Sequence, residues 1–314
     1  MTNYSHFNKL LGMIYQKAPL QKKKLERYLG EQTSSFFREA EDFTVQYARY
    51  LDSQNIPFEY AVNAYLKMCS DMLRCQVSFM RLGKYPVKVS RETFDNVYNN
   101  PQEMKSYMIG LAISQFLWTS HYKIFSFLKL ALQNYAEHTT SYLEIGPGHG
   151  LFLSEAVNIL KKCKKYIAVD ISPTSIEITK SIMQELHAND KLDISYYNED
   201  MLSLSLEHKY DFITMGEVIE HVSFPVRLLT QFYNLLTENG RGFISTCVNC
   251  PAIDHIYHFH SVDEIREMFS LCGLEILDER VCPVESLPME EIIKRKITIN
   301  YCAIVCRRRD NEQV

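Results

Sequence analysis

Two hydrophobic periods divide this chain. Up to about residue 135, apolar side chains recur at helical spacing. Phe36, Ala40, Phe43, Tyr47 and Tyr50 form one stripe, with Arg38, Glu41, Asp42 and Arg49 between them. Steps of three and four residues bring side chains to one helix face, so the stripe predicts a buried seam. Phe58, Val62, Tyr65, Cys69, Met72 and Phe79 repeat the pattern after Pro57, whose fixed φ suits a helix start. Gly83 and Pro86 carry stop signals. A further helix is predicted from Pro101 to about Leu117, with Asn99 and Asn100 as cap candidates, and another from Ser120 to Leu132. Beyond Tyr142 the period changes. Short apolar runs at Tyr142 to Ile145, Tyr166 to Asp170, Ile194 to Tyr197, Tyr210 to Met215 and Gly242 to Thr246 read as strands. Amphipathic stretches opening at Leu151, Pro173, Pro225 and Val262 separate them, and two strands, near Leu274 to Val281 and Ile297 to Cys306, close the pattern.

Repeated strand-helix units imply a parallel sheet covered on both faces, and an antiparallel pair is common at its edge. The expected class is α/β: a Rossmann-like, seven-stranded, mostly parallel sheet with helices on both faces, behind an all-helical amino-terminal subdomain. The boundary falls near residue 135, giving segments 1–135 and 136–314.

Composition narrows the partners. The chain is 46% hydrophobic and 23% charged, ordinary values for a globular protein. Its net charge of −4 supplies no general field for nucleic acid or an anionic membrane. Lys22-Lys23-Lys24 and Arg307-Arg308-Arg309 read as solvated faces or frayed ends. No apolar run reaches membrane-span length, so neither nucleic acid nor membrane is an expected partner. Nine cysteines and a polar start from Met1 to Lys9 fit a reduced, cytoplasmic protein. Cys247-x-x-Cys250 is read as two buried thiols at a strand end, with half of a metal site as the alternative.

The stretch Tyr142-Leu143-Glu144-Ile145-Gly146-Pro147-Gly148-His149-Gly150 joins a strand to a helix through a glycine-rich bend. Such a bend opens βαβ units that bind nucleotide-like ligands. Three acids then stand at successive strand ends: Glu144, Asp170 and Asp200. Asp170 lies about twenty residues past the bend, where a dinucleotide fold places the acid for ribose hydroxyls. Each acid alone could simply cap the next helix. Three at matching strand ends make a ligand site the stronger reading. The bend is Gly-Pro-Gly-His-Gly rather than Gly-x-Gly-x-x-Gly, and Pro147 has no N–H to offer a pyrophosphate.

On these residues the chain resembles the class I S-adenosyl-L-methionine-dependent methyltransferases of small-molecule type, across roughly residues 105 to 306. Glu144-Ile145-Gly146-Pro147-Gly148-His149-Gly150 looks like their first motif, under the methionine part of the cofactor. By the same resemblance Asp170 takes the ribose hydroxyls, Ile171 lies beside the adenine, and Asp200 with Met201 lies at the adenine edge. Gly216-Glu217-Val218-Ile219-Glu220-His221 resembles the fourth motif, which faces cofactor and substrate. The segment Gln115 to Tyr122, around the single Trp118, resembles the lead-in helices before the first motif. Trp118 and Tyr107 are therefore expected on the cofactor pocket wall, with core packing as the bland alternative.

Methyl transfer from a sulfonium needs an aligned acceptor and a base to take its proton. His221 is the expected base, with Glu217 beside it, because histidine side chains titrate near neutrality. The alternative is a divalent cation, Mg2+ or Mn2+, on Glu217, Glu220, His221 and His255. That set resembles the metal site of small-RNA 2′-O-methyltransferases and of ubiquinone-pathway O-methyltransferases. The Glu-His pair is slightly preferred as a folding or cofactor contact without metal. His258 and His260 alternate with Tyr257 and Phe259 and should share the other face of their segment. The acidic balance disfavours RNA, so the expected acceptor is a small molecule enclosed by the amino-terminal helices, which serve as a lid or as a homodimer contact. O-methylation is slightly favoured over N or C. A cofactor-binding protein without catalysis is the reading from another class.

Overall fold

The computed structural model describes residues 4–85, 100–188 and 190–309, so Pro86 and Asn99 lie outside the described residues. Among the described residues six helices come first: α1 Ser5–Lys17, α2 Pro19–Gly30, α3 Ser34–Ser53, α4 Phe58–Leu82, α5 Pro101–Ser114 and α6 Thr119–Tyr135. Their ends have local causes. The Thr33 hydroxyl accepts from Phe36 N–H and the Asn100 carbonyl from Glu103 N–H, each satisfying a donor left open at a helix start. Gly83 closes α4 in the left-handed conformation. The helix predicted to reach Leu117 stops at Ser114, where Ser114 Oγ donates to Leu111 O and contacts His121 Nδ1. The chain thereby breaks before Trp118. Helices α1 and α2 were not anticipated, although Phe7, Leu10, Leu11 and Ile14 bury one face of α1.

The sheet has seven strands: β1 Ser141–Ile145, β2 Lys165–Asp170, β3 Ile194–Asn198, β4 Tyr210–Gly216, β5 Leu236–Val248, β6 Leu274–Pro283 and β7 Ile299–Arg307. Their order is β3-β2-β1-β4-β5-β7-β6. The first five pair in parallel, and β7 runs antiparallel to both β5 and β6. Between the strands lie α7 Leu151–Ile159, α8 Pro173–Leu186, α9 Pro225–Leu235, α10 Val262–Leu271 and the short α11 Met289–Lys294. The strand expected from Gly242 begins six residues earlier. Leu236 pairs with Tyr210, and the register then shifts so that Arg241 meets Phe212. Asn239-Gly240 sits in that irregularity. A Cβ on Gly240 would approach Tyr210 O to 3.0 Å, which explains why glycine occupies it.

Side chains alternate between the two sheet faces. Leu143, Ile145, Ile167, Val169, Ile213 and Ile244 join a core closed by α9 and α10. Tyr142, Tyr166, Phe212 and Phe243 join a second core that continues through α6 and α7 into the amino-terminal helices. The helical segment is thus packed against one face of the sheet. Strand β1 is flanked by β2 and β4, so connections leave it in both directions, and a crevice opens at the carboxyl ends of the strands.

Candidate active site

The glycine bend lies at that crevice. Gly146 has φ +67° and donates its N–H to Val169 O at 2.9 Å. A Cβ there would sit 2.6 Å from Val218 Cγ2, so the bend can approach the β4 turn only as glycine. Gly150, at φ +73°, has another reason. Its Cβ would meet Ile182 Cγ2 at 2.6 Å and Thr179 Cα at 3.2 Å. The residue lets α7 start tightly against α8, and it does not line the cavity. The close approach of Ile182 and Thr179 gives this glycine a packing reason of its own.

A cavity of about 720 Å³ opens above the bend. Glu144, Gly146, Pro147 and Gly148 form its floor, and Asp170, Ile171, Asp200, Met201, Glu217 and His221 line it from the following strand ends. Met104, Tyr107 and Met108 of α5, with Trp118, close it from the helical side. His255 also reaches the wall. Of the residues expected at the site, Gly150 and Glu220 alone stand outside this lining.

Asp170 is half-buried at the end of β2. It accepts from Ser172 N–H at 2.8 Å, from Ser175 Oγ at 2.6 Å and from the Gly148 N–H. Burial raises its carboxyl pKa against these bonds. Three donors occupy three of roughly four lone-pair sites, leaving about one for a ligand hydroxyl. Ser172 caps the next helix, and its N–H and the Ser175 hydroxyl hold Asp170 in place at the cavity. Asp200 Oδ1 likewise accepts from Leu202 N–H at 2.9 Å, in an exposed turn above buried Met201. Glu144 is buried and accepts from Tyr142 Oη at 2.8 Å. Burial pushes its carboxyl up to about 8. Trp118 donates its indole N–H to Tyr65 Oη at 3.1 Å and packs 4.7 Å from the His121 ring, so one ring serves both wall and helix packing.

The turn after β4 concentrates the reactive groups. Glu217 sits at φ +52°, its N–H held by Ser245 O at 3.0 Å. Glu220 is fully buried; its Oε2 accepts from Thr246 Oγ1 at 2.8 Å. Among the described residues Glu217 Oε1 and Glu220 Oε1 have no hydrogen-bond partner. Burial raises both carboxyl pKa values, and the neighbouring Glu217 raises that of Glu220 further. The Glu220 carbonyl accepts from Ile256 and Tyr257 N–H at 2.8 and 2.9 Å, which folds the 254–257 loop onto the turn. His221 Nδ1 lies 3.0 Å from Asp254 O, and His255 Nδ1 lies 2.6 Å from Cys250 O. A carbonyl only accepts, so each imidazole donates from Nδ1. Donor atoms of Glu220, His221 and His255 lie within 4.8 Å of one another. His258 turns away to Asn249 Oδ1 and stacks on Tyr85, with His260 against it.

Wall residues that were not singled out for the pocket from the sequence include Met104, Met108, His149 and Asp254. The sheltered imidazoles of His121 and His149 are both pushed down to about 4 by burial, so they are neutral there. His149 accepts from Leu151 N–H at 3.2 Å, a second tie between bend and α7. Its place between two glycines of the bend was the available signal. Asp254 meets His221 Nδ1 through both its backbone oxygen at 3.0 Å and its carboxylate at 3.4 Å, a contact across 33 positions that no local pattern signals.

Comparison with known proteins agrees with this geometry. Residues 118–279 match the family described as a methyltransferase domain. A ubiquinone biosynthesis O-methyltransferase of Coxiella burnetii is 26% identical over 181 residues, covering 51% of this chain and 74% of that protein. A mitochondrial protein of the same name from Candida albicans is 31% identical over 111 residues, 35% of this chain and 33% of its own. The N-methyltransferase NodS of Bradyrhizobium japonicum, solved with S-adenosyl-L-homocysteine, shares the fold with a TM-score of 0.51 at 14% identity, over 71% of this chain and all of that one. The glycine bend, the acids at successive strand ends and the match across half the chain lead to one conclusion: this chain belongs to the methyltransferase-domain family and is a class I S-adenosylmethionine-dependent methyltransferase.

Proposed function

We propose that this enzyme methylates a hydroxyl oxygen of a small, mostly apolar molecule, with His221 as the base. One observation carries the reading. His221 stands on the cavity wall with Nδ1 3.0 Å from Asp254 O and 3.4 Å from Asp254 Oδ2, an anchor that fixes the ring at the cavity. Glu217, Asp170 and the bend lie on the same wall, and the cavity fits a cofactor with an acceptor beside it. When bound, S-adenosylmethionine supplies an electrophilic methyl group on a sulfonium sulfur. The remaining work falls to the chain. Asp170 holds a ribose hydroxyl, Ile171 and Met201 border the adenine, and Tyr107 and Trp118 shut out water. His221 Nε2 receives the acceptor's hydroxyl proton as the oxygen becomes nucleophilic. Segment 1–135 serves as the enclosing part, through α4 and α5. The names of the Coxiella and Candida relatives, both O-methyltransferases, support oxygen as the acceptor atom. His221→Ala should lower turnover by about 10²–10⁴-fold while cofactor affinity, read by calorimetry, stays nearly constant. Unchanged turnover would remove His221 from the chemistry.

A second reading has its own support. Two buried carboxylate oxygens without hydrogen-bond partners among the described residues and two imidazoles close to them form a donor set suited to a hard divalent cation. Glu217, Glu220, His221 and His255 would hold Mg2+ or Mn2+, which would lower the pKa of a bound hydroxyl. Activity that disappears after chelation and returns with Mg2+ selects this reading; full activity in chelator selects the first.

A further inference from the structure

We propose that Cys247, Cys250 and His255 form a binding site for a thiophilic divalent cation of the zinc type. The proposal goes beyond the methyl-transfer reading and does not depend on the acceptor. Strand β5 ends at Val248, and Asn249 at φ +49° then reverses the chain. Thr298 Oγ1 holds Asn249 O at 2.8 Å, Asn249 N–H is held by Phe259 O at 3.1 Å, and Tyr85 Oη accepts from Cys250 N–H at 2.7 Å. The reversal is therefore fixed on three sides, and it returns Cys250 to the side of Cys247. His255 closes the group, with Nδ1 3.7 Å from Cys247 Sγ. Donor atoms of the three residues lie within 4.8 Å of one another.

That arrangement is close to what a tetrahedral cation requires. Zinc-sulfur and zinc-nitrogen bonds place neighbouring ligand atoms roughly 3.4–3.8 Å apart. The group must contract by about 1 Å at most, within reach of side-chain rotation. Cys250 and His255 line the cavity, which gives a cation an entry path. Glu220 adds an independent observation: its buried Oε1 has no hydrogen-bond partner among the described residues, and its donor atom is within 4.8 Å of Cys247 and, in a separate grouping, of His255. It is placed to serve as a fourth donor. Two thiols and an imidazole select a borderline-soft ion over Mg2+. On binding, each thiol gives its proton to solvent and the thiolate pair binds the cation. His255 would give up its bond to Cys250 O, its ring proton passing through solvent from Nδ1 to Nε2, and bind the metal at Nδ1. A neutral imidazole offers one lone pair, so zinc held here takes His255 away from the hard-cation set. The bound ion would also tie the end of β5 to the loop whose Asp254 O positions His221.

The test uses the full chain, stripped of metal and kept in a reductant without thiols. Titration with Co2+ should give one equivalent per chain with thiolate-to-cobalt charge-transfer absorption, displaced by Zn2+. Zn2+ should also raise the thermal midpoint. Cys250→Ser, a half-buried position, should weaken Co2+ binding at least about tenfold with an unchanged circular dichroism spectrum, whereas Glu217→Gln should keep the band. No charge-transfer band in the parent chain, or an equal band in Cys250→Ser, would overturn the proposal. The readout needs no turnover, so failure of the methyl-transfer reading is seen separately in His221→Ala.

Discussion

In the proposed reading, Asp170 serves structure and ligand together. Ser172, Ser175 and the Gly148 N–H hold its carboxylate in place before any cofactor arrives. A preset acceptor loses little entropy on binding. Asp170→Ala should weaken cofactor binding by about 10- to 100-fold, the worth of a hydrogen bond to a charged group. Calorimetry that finds the affinity unaltered would contradict the role. Glu144 makes a different prediction. Its carboxyl pKa rises from the ordinary 4.5 to about 8 because the group is buried. Between those values the folded chain binds a proton that the unfolded chain has released. Stability conferred at low pH is therefore lost as pH climbs from about 4.5 to 8, and the loss levels off above that. The ligand-free thermal midpoint should fall across this window, and Glu144→Gln should flatten the slope. A parent and variant with parallel pH profiles would contradict this.

At the scale of elements, the strands and their acids were legible in the sequence because a period of two fixes which side chains face each core. The helices α3 to α6 were legible from their apolar stripes, though α5 ended early where Ser114 turns its hydroxyl back on Leu111. Contacts between distant segments were not legible. The reason for Gly150 lies in Ile182 and Thr179, about thirty residues later, and no local pattern points there. The convergence of Cys247, Cys250 and His255 depends on how the 249–255 segment folds back, so the spacing alone supported two buried thiols. The expected outcome for Gly150→Ala follows from the packing. A β-carbon 2.6 Å from Ile182 at a positive φ should destabilise the chain by at least about 2 kcal/mol. A urea midpoint unchanged by the substitution would show that α7 and α8 can separate freely.

At the scale of the whole molecule, the amino-terminal helices and the sheet share one continuous core, and α5 with Trp118 covers the crevice that the strand order creates. Among the described residues no helix is long and apolar enough to cross a membrane. The fold supplies a covered cavity with the bend as floor, acids at the rim and His221 on the wall. The central claim is that a methyl group leaves through that cavity to a hydroxyl oxygen. The most direct measurement incubates the chain with methyl-labelled S-adenosylmethionine and small-molecule extracts, then locates the label by mass spectrometry. The account predicts one labelled O-methyl ether, absent with His221→Ala; label on nitrogen or carbon, or cofactor binding with no labelled product from any extract, would contradict it.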